Sequence, residues 1–428
     1  MTRFSYIVLL FLILLGTCSL YATERFPPPD FDSGYELPLT TTPAPRAQIY
    51  QYLDMAVLLV TLSLASYLAL KKRSRRGIFL LTLFSLIYFG FWRKGCVCPI
   101  GAIQNVTLAL FDHNYIIPFA VIFFFILPLI FTLFFGRTFC AAVCPLGAIQ
   151  DIVLIHPIQL PSWLTHALGL LGYIYLGCAV LFAATGSAFI ICQYDPFVSF
   201  FRMSGSLEIL ILGCSFLLIG LFVGRPYCRF FCPYGIILRL LSKFSRWRVT
   251  ITPDDCIQCR LCEDSCPFGA IQKPYQSPPP ASYHWGKIKL LILLLTLPIL
   301  MAVFGVVGAK LAPTFSRMHE RVRLADQVHL LETKPNTETS DAVDAFRASG
   351  ETRAHLLEDV RNIENKFLWG TTLLGGFIGL LIGCKLIGLT LRRSRTDYQA
   401  DRGLCLACGR CFEYCPREHQ RRKSIKQL

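Results

Sequence analysis

Charge is what this chain has least of. Of its 428 residues only 16% are Asp, Glu, Lys or Arg, 54% are hydrophobic, and the mean hydropathy is +0.51. A soluble domain carries about 25% charged residues, so a purely soluble fold is excluded. Histidine is also sparse. The eight are His113, His156, His166, His284, His319, His329, His355 and His419, and none falls in the middle of a long apolar run. That excludes a haem held between two membrane histidines. No chain of buried acids crosses the runs, as proton pumps require; Asp54 and Glu208 sit near run ends. The absence of a Met- or His-rich tract argues against metal delivery.

What is present is membrane. Apolar runs fall at about 50–70, 77–92, 115–135, 164–185, 206–224, 288–309 and 367–390, each near the ~20 residues needed to cross a bilayer core of about 30 Å. Before them, residues 1–22 have the apolar core of a signal peptide or signal anchor, and 23–49 read as a Pro/Thr-rich extracytoplasmic linker. The first run ends in Lys71, Lys72, Arg73, Arg75 and Arg76, which places that end in the cytoplasm. Alternation then puts 225–289 and 391–428 inside, each with ten Lys/Arg against four Asp/Glu. It puts 310–366, with nine against ten, outside. The net charge of +15 therefore reads as a positive-inside signal and not as a nucleic-acid surface. The inner membrane of a bacterium, crossed several times, is the expected location.

Nineteen cysteines fall mostly in ligand-spaced groups. Cys256, Cys259, Cys262, Cys266, Pro267 and Cys405, Cys408, Cys411, Cys415, Pro416 each read C-x2-C-x2-C-x3-C-P, the ligand run of two-cluster bacterial ferredoxins, in which the fourth cysteine serves the other cluster. Cys256, Cys259, Cys262 and Cys415 are thus expected to hold one [4Fe–4S] cluster, and Cys405, Cys408, Cys411 and Cys266 the other. Zinc sites usually pair two cysteines from each of two loops, and two complete runs do not fit that pattern. The 138 residues between Cys266 and Cys405 contain two apolar runs, so the module is a ferredoxin split across a membrane hairpin. Both halves land on the cytoplasmic side.

A second frame, G-R-x-x-C-x3-C-P-x-G, occurs at 136–147 with Cys140 and Cys144 and at 224–235 with Cys228 and Cys232. Cysteines four apart share a helix face, and proline after the second suits the start of a new helix. These four thiols can hold a further metal centre, act as dithiols, or pack as structural residues; the frame places them at the cytoplasmic edge. A degenerate version carries Cys96 and Cys98, and with Cys192 it falls on the outer face, as an electron exit or as a disulfide plus one thiol. Cys178, Cys214 and Cys384 lie singly inside runs and read as packing residues.

The reading is an all-α polytopic membrane protein with a small split two-[4Fe–4S] ferredoxin module (α+β). Its parts are a membrane domain over 50–249, a ferredoxin half over 250–275, a span at 288–309, an extracytoplasmic helical loop over 310–366, a span at 367–390 and a second ferredoxin half over 391–428. Within the loop, Ser349-Gly350-Glu351-Thr352 reads as a helix-hairpin turn.

In its C-x3-C-P frames and cluster runs, over roughly residues 77–428, the chain resembles the NosR/NapH-type membrane polyferredoxins. The resemblance implies an electron-transfer subunit of an oxidoreductase system, not a stand-alone enzyme. Its donor would be a soluble ferredoxin or flavodoxin, or quinone, and its acceptor a separate flavoprotein or reductase outside the cytoplasm. The chain has no room before its membrane part for the flavin-binding domain of NosR-like members, so flavin belongs to a partner. A maturation or regulatory factor for a partner metalloenzyme is the alternative. Arg260, Arg402, Arg410, Arg417, Arg421 and Arg422 form a basic rim suited to an acidic donor. Two clusters on one face leave about 30 Å of hydrocarbon to cross, which demands a relay.

Overall fold

Long apolar stretches with few helix breakers can satisfy their backbone inside a bilayer only as helices, and each of the seven runs contains one. The computed structural model describes residues 47–95, 98–251, 256–275, 283–333, 340–390 and 395–427. The expected signal segment, nearly all of the linker, and Cys96 lie outside them. In order the helices are α1 (Gln48–Leu70), α2 (Arg75–Ser85, continued π-helically over Leu86–Trp92), α3 (Pro99–Phe111), α4 (Phe119–Phe135), α5 (Pro145–Val153), α6 (Ser162–Ala184), α7 (Leu207–Gly220) and α8 (Pro233–Ser242). They continue with α9 (Tyr283–Ser316), α10 (Glu320–Thr333), α11 (Asp341–Ala348), α12 (Arg353–Thr390) and α13 (Pro416–Gln427). Five are long and apolar enough to cross a membrane: α1, α2 with its extension, α6, α9 and α12. Helices α4 and α7, at 17 and 14 residues, are shorter because the chain beyond them folds back into the bundle.

That return is the feature the apolar pattern hides. After α4 ends at Gly136, whose φ of +73° turns the backbone sharply, the chain climbs beside its neighbours. Thr138 shares a hydroxyl hydrogen bond of 3.1 Å with Ser66 of α1, and the Ala141 carbonyl faces the Thr82 hydroxyl of α2 at 3.5 Å. Only then does Pro145 start α5. The second frame does the same before Pro233 starts α8, and the Tyr234 hydroxyl donates to the Phe125 carbonyl of α4 at 2.8 Å. Backbone of this kind is tolerated at membrane depth only when packed in protein, and Phe139, Ala141, Ala142 and Val143 are all buried.

Helices α9 and α12 form the hairpin that carries the chain from one ferredoxin half to the other. Their axes approach closely because glycines leave room for backbone. A Cβ on Gly375 would stand 2.1 Å from the Phe304 carbonyl oxygen, and one on Gly379 2.5 Å from that of Leu300. Phe182 of α6 packs against Phe315 with tilted rings and edge-on against Phe367, tying the hairpin to the bundle. Beyond it the halves meet. β1 (Ile271–Gln272) pairs antiparallel with β2 (Gln399–Ala400), Ile271 opposite Ala400, and Tyr275 bridges to Arg395. Residues far apart in sequence thereby share one sheet.

The joined module is seated on the bundle by a buried carboxylate. Asp151 of α5, 3% exposed, pairs with Arg75 at 2.8 Å, Arg410 at 3.3 Å and Arg225 at 3.5 Å. Arg75 also donates to the Cys408 carbonyl at 3.2 Å, and Arg137 to the Gly403 carbonyl at 3.1 Å. Arg73 pairs with the fully buried Glu418 at 3.1 Å, where Arg421 and Arg422 also bind. Burial alone would raise the pKa of Asp151, but Arg225, Arg75 and Arg410 outweigh it and hold the carboxyl well below the usual range.

Two outcomes are expected. Gly375→Leu should force α9 and α12 apart at an overpacking cost of about 1–3 kcal/mol and separate the ferredoxin halves, seen as iron lost from purified protein. Asp151→Asn leaves the buried Arg225 and the half-buried Arg75 and Arg410 without their counter-charge, at a cost of about 3–5 kcal/mol, and should expose the module to limited proteolysis. Because the folded pKa of Asp151 is depressed, its contribution is complete above the ordinary carboxylate pKa near ~4 and is lost only as pH falls through the lower folded value. Protease resistance set by Asp151 should therefore be flat from about pH 5 to 8.

Candidate iron–sulfur centres

Each ferredoxin run folds as a loop whose backbone twice enters the left-handed region at matching places. Gln258 (φ +53°) and Arg260 (φ +64°) in the first correspond to Ala407 (φ +54°) and Gly409 (φ +76°) in the second. Three of these four are not glycine, at a cost of ~1–3 kcal/mol each. Alternating left- and right-handed residues turns successive N–H groups inward as a nest for anionic sulfur.

The thiols converge in crossed sets. Cys256, Cys259, Cys262 and Cys415 line one small cavity, closed by Ile251 and Tyr398. Cys405, Cys408 and Cys266 gather about Cys411 closely enough that each would repel a thiolate there. The Ala270 N–H points at the Cys266 sulfur at 3.4 Å. Burial pushes Cys405 up to about 12 and Cys262 up to about 11, so these sulfurs become anionic only against strong local positive charge such as iron. Two four-thiol sets facing inward N–H groups are a donor set that fits [4Fe–4S] clusters. Cys262 and Cys411 pack against one apolar cluster, Ile251 and Tyr398 among it, so the sets are neighbours.

A third set lies within the bundle. Cys228, Cys144 and Cys140 all act electrostatically on Cys232, so both C-x3-C-P frames meet at one place. Cys144 and Cys232 each cap the start of a half-helix, α5 and α8, and the Gly235 N–H donates to the Cys232 sulfur at 3.3 Å. The positive helix ends thus point at the thiols. Sequence alternation places these cysteines at the membrane edge; the returning loops instead carry Cys144 and Cys232 into the core, each 7% exposed. Cys140 packs with Cys266, Phe268 and Leu406, which brings this set against the second ferredoxin set. Arg225, fully buried at φ +49°, lies within electrostatic reach of Cys228, Cys408 and Cys140. Arg137 donates to the Cys140 sulfur at 3.7 Å and Gln150 to that of Cys228 at 3.2 Å.

Cys98 and Cys192 lie together on the other side of this set. Each acts electrostatically near the other, and Cys98 also lies within reach of Cys144. Both line a half-open cavity of about 420 Å³ with Asp195, Arg93 and Arg202. Tyr234 stands among Cys140, Cys232, Cys98 and Cys144. Two expectations change. Cys214 and Cys384 are exposed on their helices and are not packing residues. Arg410, Arg421 and Arg422 are spent in ion pairs that seat the module, leaving Arg260 and Arg417 beside the first thiol set. The Ser349–Thr352 stretch is the expected turn, with Gly350 at φ +70°; there Glu351, His355 and Asp359 cluster as metal ligands do, but Arg321 already pairs with both carboxylates.

Sequence reading passed over Gln104, Gln150, Asp151, Asp195 and Arg225. A signal for the two glutamines was present: Cys98-Pro99-Ile100-Gly101-Ala102-Ile103-Gln104 is repeated as Cys144-Pro145-Leu146-Gly147-Ala148-Ile149-Gln150.

Comparison with known proteins follows these sites. A family described as "4Fe-4S binding domain" matches residues 117–157 and 206–252, the two C-x3-C-P regions, and a second family of the same description matches 249–272. The uncharacterized protein MJ0750 of Methanocaldococcus jannaschii is 31% identical over 23% of this chain and 41% of its own length. The putative electron transport protein YccM of Escherichia coli is 29% identical over 25% of the chain and 33% of itself. Protein NirI of Paracoccus denitrificans is 32% identical over 22% and 14%. The chain thus spans well under half the length of these curated relatives, and no solved structure matches it. Thiol sets, family matches and relatives agree: the chain carries 4Fe-4S binding domains and is similar to the NosR/NapH-type membrane polyferredoxins.

Proposed function

We propose that this protein carries single electrons between a soluble donor on the cytoplasmic side of a bacterial inner membrane and an acceptor in or beyond that membrane. The observation that carries the reading is the serial placement of three four-thiol sets, from the exposed end of the ferredoxin module into the bundle. A [4Fe–4S] cluster supplies one-electron capacity. The ligands proposed are Cys256, Cys259, Cys262 and Cys415 for the first, Cys405, Cys408, Cys411 and Cys266 for the second, and Cys140, Cys144, Cys228 and Cys232 for a further metal centre.

The chain's own residues arrange the path. The crossed fourth cysteines hold the first two sites side by side. Arg225 and Arg137 place positive charge between the second and third, which favours electron-rich forms there, and the half-helix ends of α5 and α8 add to that. The first set opens outward at the exposed Cys259, ringed by Ile257, Leu261, Tyr414 and Arg260. Apolar contacts inside a positive rim suit an acidic ferredoxin or flavodoxin, whose approach the charge steers. The basic residues Lys71 to Arg76 lie at the module end of α1 and α2, which by the positive-inside rule supports the cytoplasmic assignment. Quinol as donor is a second reading, favoured by an apolar cavity of about 710 Å³ between α6 and α12, with Thr185, Asn365 and Lys366 among its lining.

Iron and acid-labile sulfide per chain, with EPR of the reduced protein, test this. About eight irons correspond to the two ferredoxin clusters, and an excess that disappears in Cys140→Ser/Cys228→Ser corresponds to the third centre. Cys415→Ser should damage the cluster of the first run and leave that of the second, and Cys266→Ser should do the reverse. Uncrossed losses, or a wild-type chain without iron, would overturn the reading.

A further inference from the structure

The repeated stretch Cys98–Gln104 and Cys144–Gln150 is repeated in three dimensions. Cys98 caps the start of α3 as Cys144 caps α5, with the Gly101 and Gly147 N–H groups facing the respective sulfurs. Gln150 accepts from the Tyr227 N–H at 3.1 Å, and Gln104 accepts from the Ile191 and Cys192 N–H groups at 3.1 and 3.3 Å. Ile191-Cys192 therefore stands to α3 as Tyr227-Cys228 stands to α5. Continuing the match, Cys228 is followed by Cys232-Pro233, and Cys192 by Asp195-Pro196. Cys232 receives the Gly235 N–H at 3.3 Å, and Asp195 receives the Phe197 N–H at 2.9 Å. Asp195, three residues after Cys192 where Cys232 is four after Cys228, precedes a proline as that cysteine does.

A second, independent observation concerns the glutamine amides. At the inner set, Gln150 Nε2 donates to the Cys228 sulfur at 3.2 Å. At the outer set, Gln104 is fully buried and its Nε2 has no partner among the described residues. An orphaned buried donor is costly, and its counterpart shows what such a donor meets: a cysteine sulfur. The Cys192 sulfur lies against the first turn of α3, 3.0 Å from where a Gly101 Cβ would be. Cys98, Cys192 and the buried Asp195 open on the 420 Å³ cavity, which leaves room for a group larger than one ion.

We propose that Cys98, Cys192 and Asp195 are ligands of a second bundle-embedded iron–sulfur centre, the twin of the one read on Cys140, Cys144, Cys228 and Cys232. The inference rests on that reading. One carboxylate in place of a thiolate gives a harder donor set that still suits iron. Held by these residues, such a centre would supply one-electron capacity, gaining the electron that a centre on the inner set gives up. No bond is made or broken and no proton moves. The outer site would deliver electrons to a partner at the cavity mouth, where Arg93 and Arg202 lie.

The test uses the full chain purified anaerobically. Cys98→Ser/Cys192→Ser is expected to lose the iron and sulfide of one centre while the EPR signals of the ferredoxin clusters keep their intensity. Asp195→Cys, which recreates the inner ligand type, should retain iron and shift the EPR line shape of that one centre. Unchanged iron in the first variant, zinc at the site, or a Cys98–Cys192 disulfide in non-reducing peptide mass spectrometry would overturn the proposal. If the first variant fails to fold, an Asp195→Cys spectrum identical to wild type overturns it equally. Iron lost in Cys140→Ser/Cys228→Ser but not in Cys98→Ser/Cys192→Ser sinks this site alone, and iron lost in neither sinks the third centre as well.

Discussion

One buried carboxylate holds together what the chain keeps apart. Asp151 begins in the first C-x3-C-P segment, and its three guanidinium partners come from α2, the second C-x3-C-P segment and the second ferredoxin half. Any one of these pairs, buried alone, would barely repay its desolvation. Together they fix register between a membrane bundle and a module assembled from distant pieces. The contact also sets distance. Arg75, paired with Asp151, holds the Cys408 carbonyl; Arg225, paired with the same oxygen, holds the Ala141 carbonyl beside Cys140 at 3.2 Å. The same charges that seat the module align its second thiol set with the first set inside the bundle.

Much of this was legible from residue order. Ligand spacing paired Cys415 with the first run and Cys266 with the second, because a proline after the fourth cysteine turns it away from its own loop, and the structure brings those sulfurs together. Charge counts on the loops at 225–289 and 391–428 put both halves on one side for an unrelated reason, and β1 and β2 do meet there. The shared frame of Cys140–Cys144 and Cys228–Cys232 pointed to one common centre.

Depth was not legible. Alternation leaves residues 136–144 and 224–232 at a cytoplasmic edge, whereas the structure packs them inside the bundle, with Phe139 to Cys144 nearly all buried. Nor did residue order show that Cys98, placed at the outer face, lies within electrostatic reach of Cys144. Charge on the rim misled for a related reason. Arg410, Arg421 and Arg422 look like a docking face in sequence, but a guanidinium within reach of a buried Asp or Glu is consumed by folding, and only the three-dimensional partner reveals which arginines are spent.

The returning loops also bear on the physical problem that two clusters on one face would create. Electrons cannot be passed through roughly 30 Å of plain hydrocarbon, and a straight span offers no ligands at depth without breaking its helix. Pairing a short span with a half-helix puts cysteine at the half-helix start, where unsatisfied N–H groups and the helix dipole favour the anionic sulfur a metal needs. It also leaves a backbone that neighbouring helices can satisfy. Three half-helices, α3, α5 and α8, begin this way at Cys98, Cys144 and Cys232, and Tyr234 packs among all three sulfurs. Broken helices are therefore not a departure from the membrane fold here but the means by which it places sulfur at depths that an unbroken span leaves without ligands.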